Sequence, residues 1–317
     1  MADGRKRNPD PAAAAKTSRL AGGASGQAYL LLAFTALTWG GNAVAGRLAV
    51  GEISPMALTC LRWLIVVCLM APLARRDLVA HWPTVRANWP RIVAMATFGF
   101  AAFNALMYVA AHYTTAVNLT IIQGGIPILV LIGALVVYGT RITGLQVAGM
   151  LVTLAGVATV AAQGSLATLL ALSFNPGDLL MLVACVAYAG YTLALRSRPA
   201  MPQMAFFTVM AMVAFAASLP MLAVEMALGL TVWPGLEGWL ILAYVALLPS
   251  LIAQLCYMRG VELIGPGRAG LFVNLVPVFG AMLAVVILSE PFRLYHAAAL
   301  ALVLGGIALA EKGKGRS

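Results

Sequence analysis

The sequence is short of acids. Ten Asp and Glu stand against 20 Lys and Arg in 317 residues, and no carboxylate falls in the middle of an apolar run. Hydrolysis or group transfer inside a membrane calls for paired carboxylates, a His-rich metal cluster or an activated nucleophile. Three scattered histidines (His81, His112, His296) supply none of these, so no enzyme, no cofactor and no metal site is expected. Carriers that exchange protons for substrate commonly hold a carboxylate at mid-membrane. Here Asp178, Glu262 and Glu311 sit near the ends of runs, and His112, on a polar face, is also near an end. Facilitated exchange or uniport is favoured over carboxylate-based antiport. Cysteine is equally sparse. Cys60, Cys68, Cys185 and Cys256 all lie in apolar runs without a Cys-x-x-Cys pair, so packing is their expected role and no disulfide framework is implied.

What the chain has in excess is hydrophobic surface, 62% of residues against 9% charged. A soluble domain of this size could not hide it. Ten apolar runs stand out, at 29–50, 54–74, 91–112, 115–139, 143–162, 177–196, 204–227, 237–261, 267–289 and 294–311. Each is near the roughly 20 residues that a spanning helix needs, and the alternating segments of about 10 residues that mark a membrane barrel are not seen. With both termini on one side, that side collects every Lys and Arg except Arg47, Arg62 and Arg293. The positive-inside rule then places both termini in the cytoplasm of a multi-pass protein of the inner (plasma) membrane. The net charge of +10 therefore reads as topology, and no nucleic-acid partner is expected. Residues 1–28 read as a disordered cytoplasmic tail, not a cleavable signal, and residues 312–317 as a second tail.

The chain repeats itself. Trp39, Gly41, Asn42 and Arg47 align with Tyr188, Gly190, Tyr191 and Arg196, and Gly125-Ile126-Pro127 aligns with Leu275-Val276-Pro277. Each half holds five runs, an odd number, so the second half (177–311) starts on the other side from the first (29–162), across an external linker at 163–176. The fold expected is all-α integral membrane, ten transmembrane helices in two inverted five-helix repeats, with a site between them. The loop from Arg75 to Pro90 carries Trp82 and Trp89 and reads as interfacial.

Polar residues are not spread evenly over the runs. Thr35, Thr38, Trp39, Asn42 and Gly46 share one helical face of the first. Asn104, Tyr108 and His112 share a face of the third, and Ser250, Gln254 and Tyr257 of the eighth. Gln123 precedes Pro127 in the fourth, and Asn274 precedes Pro277 in the ninth. The fifth and tenth are Leu, Val, Ala and Gly, suited to lipid or to a helix pair. Polar groups in hydrocarbon pair with one another or face a wet cavity. Six polar spans are thus expected to surround a central cavity. Its candidate substrate set is Trp39, Asn42, Asn104, Tyr108, Gln123, Tyr188, Tyr191, Gln254, Tyr257 and Asn274, rings with neutral donors and acceptors that suit a small zwitterion or a planar ring. The same residues could instead join helices to one another. Pro127 and Pro277, at matching positions, are either a pair of hinges or fixed kinks. Arg62, the charge inside a span, either meets a substrate carboxylate or is structural, snorkelling or bonding carbonyls at a helix end. The sequon Asn118-Leu119-Thr120 lies at or inside a span and is set aside.

Four motifs, in order, carry a resemblance. Trp39-Gly40-Gly41-Asn42 with Arg47, Ser54-Pro55 with Arg62, Ser289-Glu290-Pro291, and Gly305-Gly306-Ile307 resemble the signature of EamA-type transporters of the drug/metabolite transporter superfamily, over about 29–310. One departure is visible: the acidic position at the end of the repeat is Glu290 in the second half and Thr140 in the first. The resemblance implies export of small metabolites by alternating access, with YddG-type exporters of aromatic amino acids among the relatives. A nucleotide-sugar carrier is the rival on the same fold, but such a substrate needs several cavity-facing basic groups and only Arg62 is at hand. The expected partners are a small-molecule substrate and the lipid bilayer, and a monomer is sufficient.

Overall fold

Proline and small polar residues start most of the helices. Ser54 is extended (φ −69°, ψ 152°) and Pro55 opens the second helix. Proline's fixed φ suits this first turn, where its missing N–H is not needed. Thr115 accepts a hydrogen bond from the Asn118 N–H (3.1 Å), and Asn175 Oδ1 accepts one from the Gly177 N–H (2.7 Å). Thr143 and Gln146 form a reciprocal capping box. The computed structural model describes residues 11–139, 142–165, 167, 175–264, 269 and 272–313. The elements are α1 (Pro11–Leu48), α2 (Pro55–Ala80), α3 (Trp82–Ala87), α4 (Trp89–Ala110), α5 (Ala116–Tyr138), α6 (Gly144–Ala161), α7 (Pro176–Ser197), α8 (Gln203–Ala227), α9 (Leu236–Ile264), α10 (Val276–Leu288) and α11 (Leu294–Lys312).

Among the described residues, nine of these helices contain a segment long and apolar enough to cross a membrane. The protein is an all-α integral membrane protein. Of the ninth run, expected at 267–289, the described residues are helical at 269, at 272–273 and through the 13 residues of α10. One expectation is corrected. Residues 11–28, expected as a disordered tail, continue α1 back to Pro11; Ala12–Ala15 after a first-turn proline are strong helix formers. Residues 1–10, Thr140, most of the linker and Arg268 lie outside the described residues. The expected interfacial loop is largely helical, as α2 runs to Ala80 and α3 follows; Trp82 and Trp89 are exposed.

Helix pairing has an exchange symmetry. α1 packs on α9 and α10, and its counterpart α7 packs on α4 and α5. α2 packs on α8, α5 on α10, and α6 on α11. Each statement survives swapping every helix for its partner 149 or 150 residues away. The interruptions match as well. A π-helical turn at Thr97–Ala102 of α4 is repeated at Ala246–Ile252 of α9. α5 breaks at Gly124-Gly125 and restarts at Ile126, while α10 starts at Val276 after a turn at Asn274-Leu275. Pro127 and Pro277 therefore do not sit in the middle of continuous helices. Each lies in the first turn of a new helical segment, where proline removes no needed hydrogen bond.

Small residues let these helices touch backbone to backbone. In the α6–α11 pair, a Cβ on Gly149 would come within 2.5 Å of the Gly306 carbonyl and 2.6 Å of the Ala310 nitrogen. At the α1–α10 crossing, a Cβ on Gly40 would lie 2.6 Å from Gly280 N and 2.9 Å from Val276 O. The fifth and tenth spans thus pair with each other, and their glycines are packing glycines.

Candidate substrate site

The guanidinium of Arg62 is the centre of the polar interior. Its helix, α2, lies against α8 and the π turn of α9, and the residue is 4% exposed. Nε donates to Ser250 Oγ at 2.7 Å. Nη1 donates to Asn104 Oδ1 at 2.5 Å, to Asn42 Oδ1 at 3.4 Å, and to Tyr108 Oη. Tyr108 in turn donates to Asn42 Oδ1 at 3.0 Å, and Asn104 Nδ2 to the Phe100 carbonyl at 2.6 Å. The π turn shapes this arrangement, since Ser250 is free to donate to the Val245 carbonyl five residues back (2.5 Å) while accepting from Arg62. Arg62 therefore ties α1, α2 and α4 of the first half to α9 of the second. It neither snorkels nor bonds carbonyls at a helix end, as the structural reading of the sequence allowed.

A cavity of about 140 Å³ lies beside it, lined by Trp39, Asn42, Asn104, Gln123, Tyr188, Gln254 and Asn274 of the expected set, with Arg62, Pro127 and Pro277. A wider cavity of about 460 Å³ adjoins it. Of the residues expected at the site the two share Trp39, Pro127, Tyr188, Gln254 and Asn274, and Tyr191 and Tyr257 border only the wider one. That cavity reaches the surface at Arg198, Gln203 and Glu311, the end of the bundle that also carries Lys312. One expected lining residue is displaced. Tyr108, 1% exposed, lies behind Arg62 and faces neither cavity. The reason is its hydroxyl, which the Arg62–Asn42 pair recruits.

The walls are aromatic. Trp39 Nε1 donates to the Pro249 carbonyl (3.0 Å), and its ring lies 5.4 Å from that of Tyr257. Tyr188 packs on Phe103 (4.9 Å) and Tyr191 (5.3 Å). Trp63 stacks on Phe100 at 4.8 Å, and Phe100 is 6.1 Å from Phe207. Trp63, Phe100, Phe103 and Phe207 were not among the expected residues. Phe100 could have been found, because it stands one turn before Asn104 on the face that continues to Tyr108; Phe207 carries no such signal.

The far end of the bundle is closed by carboxylates on helix starts. Glu225, at the end of α8, accepts from Ser54 Oγ (2.5 Å), Met56 N (3.1 Å) and Ala57 N (3.3 Å) of α2. Glu290 accepts from Ala116 N (2.9 Å) and Val117 N (3.0 Å) of α5. Negative charge is favoured there by the helix dipole. Asp178 accepts from Thr114 Oγ1 (2.5 Å) and Asn118 Nδ2 (3.3 Å), and His296 Nε2 lies 3.2 Å from Asn118 Oδ1. Arg47 donates to the Ala111 carbonyl at the end of α4 (2.7 Å). His112, between α4 and α5, is exposed and borders neither cavity; desolvation and the charge of Arg47 pull its pKa below the usual histidine value, with Glu225 pulling the other way. Among the described residues no group of three His, Cys, Asp or Glu is placed to hold a metal ion.

Such a two-part cavity at the junction of two alike halves is a carrier's architecture, and the chain's relatives agree. It is 27% identical over 284 residues to the uncharacterized transporter YyaM of Bacillus subtilis (strain 168), covering 89% of this chain and 92% of that one. A second transporter of the same organism, YetK, is 26% identical over 284 residues, covering 88% and 85%. An uncharacterized transporter of Archaeoglobus fulgidus is 25% identical over 279 residues, covering 88% and 96%. A solved crystal structure of a protein, 22% identical, superposes with a TM-score of 0.64 over 92% of this chain and 99% of that one, which shows a shared fold. The EamA-like transporter family matches twice, at residues 26–162 and 175–311, so both halves are copies of one family domain and the chain belongs to the EamA-like transporter family.

Proposed function

We propose that this transporter exports small amphipathic metabolites, amino acids and aromatic ones foremost, by alternating access. The observation that carries the reading is the cavity wall, aromatic rings interleaved with Gln123, Gln254 and Asn274, and a single arginine. Rings supply area for an apolar side chain, and amides supply neutral donors and acceptors for a zwitterion. A nucleotide sugar would bring two phosphates to one buried cation, which fits poorly. If the cluster of basic residues faces the cytoplasm, the conformation described is open inward, with the far end shut by Glu225, Glu290 and Asp178. Pro127 and Pro277, each following a break, are the positions at which α5 and α10 would bend. One chain encloses the site, so a monomer suffices.

Counterflow in proteoliposomes tests this. Protein reconstituted with unlabelled amino acids inside should take up labelled Phe, Met or Thr without a pH gradient. Uptake that needs a pH gradient would keep the exporter and remove facilitated exchange. No uptake of any amino acid by folded protein would remove the substrate class.

A further inference from the structure

Arg62 is a permanent cation, as a guanidinium does not lose its proton in proteins. All four of its partners, Ser250, Asn104, Asn42 and Tyr108, are neutral. Buried charges are ordinarily matched by an opposite charge. Among the described residues no Asp or Glu borders the inner cavity; the carboxylate that borders the wider one is Glu311, at its mouth and within 3.4 Å of Asn274 Nδ2. The bonds of Arg62 to described residues all use Nε and Nη1, so the second amino group, Nη2, is left over on a side chain that lines the cavity. The Trp63 ring, 5.3 Å from the guanidinium carbon, lines the same cavity, but its Nε1, also without an acceptor, is shut off from that space. Buried donors in folded proteins nearly always have partners. A charged donor with only neutral partners thus stands on the cavity wall and lacks an anion.

Resting on the transport reading above, we infer that the inner cavity is a carboxylate subsite, in which Arg62 Nη2 holds one carboxylate of the substrate beside the Trp63 ring. Phe100, Phe103 and Phe207 then surround the apolar body. An ammonium group, where the substrate has one, points the other way, toward the amides of Gln254 and Asn274 and the mouth at Glu311. The recognised group is the carboxylate, and the ammonium is dispensable. The class is thus amphipathic monocarboxylates, of which aromatic amino acids are members.

Four compounds with one ring separate these roles: phenylalanine, 3-phenylpropanoate (no ammonium), phenylalanine amide and phenethylamine (no carboxylate). Binding to the purified full chain in detergent is read as a ligand-dependent rise in melting temperature and titrated for affinity. Phenylalanine and 3-phenylpropanoate should bind at least about 10-fold more tightly than the other two, since 1.4 kcal/mol is a factor of ten and a charge-assisted hydrogen bond exceeds it. Arg62→Gln should abolish that preference, and Trp63→Phe, which keeps a ring beside the guanidinium, should leave it. The wild-type series decides the matter even if Arg62→Gln fails to fold. Equal binding of 3-phenylpropanoate and phenethylamine overturns the carboxylate subsite while leaving the transport reading in place. Binding of none of the four overturns the aromatic amino-acid reading and this inference with it.

Discussion

Arg62 Nη1 and Asn104 Oδ1 are 2.5 Å apart, and Asn104 is itself held by its amide to the Phe100 carbonyl at 2.6 Å. The carbonyl end of the amide therefore points at the cation and cannot turn without losing both bonds. A hydrogen bond to a charged group contributes about 1.5–3 kcal/mol. Asn104→Leu leaves the charge in place with one acceptor fewer, whereas Arg62→Met removes the charge and its demand together. Thermal unfolding in detergent should show Asn104→Leu as the more destabilised of the two. The reverse order would mean that the arginine is held for stability more than for its charge.

The Gly40–Gly280 crossing sets how closely α1 and α10 approach. A methyl group on Gly40 would meet backbone at 2.6 Å, and one on Gly280 would meet Thr120 of α5 as well as Gly40. Backbone cannot yield as a side chain can, so the helices must part. Overpacking of this kind costs about 1–3 kcal/mol. Gly190, in α7, has open space around it, and Ala there gains helix propensity of up to about 1 kcal/mol. Gly40→Ala should lower the melting temperature and Gly190→Ala should hold or raise it, measured side by side on purified protein.

The helices and the matched positions of Pro127 and Pro277 were legible because hydrophobic runs and repeated prolines are local signals, whereas the paired π turns carried none. Which polar groups would meet was not, and Tyr108 and Tyr257 show why. They occupy equivalent places in the two halves, 149 residues apart, and the sequence treats them alike. In the structure Tyr257 borders the wider cavity while Tyr108 is buried under Arg62. The difference originates in α2, because the counterpart of Arg62 in α8 is Ala211, and a charge present in one half breaks the equivalence. The capping carboxylates were hidden for another reason. Glu225 lies 171 residues from Ser54, and Glu290 lies 174 from Ala116, so nothing local announces the bonds.

His112 gives a pH dependence with a defined sign. Partial desolvation of its ring and the charge of Arg47 disfavour its charged form in the folded protein, so its folded pKa lies below the unfolded value of about 6.5. The unfolded chain then binds the proton more readily. Whatever stability this histidine contributes is complete above about pH 6.5 and declines as the pH falls through its lowered folded pKa. Between pH 7.5 and 5.5 the melting temperature of the wild type should fall further than that of His112→Gln. Counterflow above pH 7 should be alike in the two, since His112 borders neither cavity and is already neutral there.

Glu225 and Glu290 both belong to the second half, and both cap helices of the first, α2 and α5. Each bond must break if the far end opens by separation of the halves. Replacing either by Ala leaves two helix N–H groups without their acceptor, and Glu225→Ala also strands the Ser54 hydroxyl. Loss of a cap costs about 0.5–2 kcal/mol. Glu225→Gln and Glu290→Gln retain an acceptor oxygen but remove the charge that the helix dipole favours, so they should lose less. The informative measurement is labelling of Ser54→Cys, at a position 4% exposed, by a maleimide that cannot cross the membrane and is supplied on the far side. With Glu290→Ala added, labelling should quicken, because the remaining far-end contacts would hold the closed state less firmly. An unchanged rate, with Glu290→Ala folded, would mean that Glu290 secures α5 alone and takes no part in closing the far end.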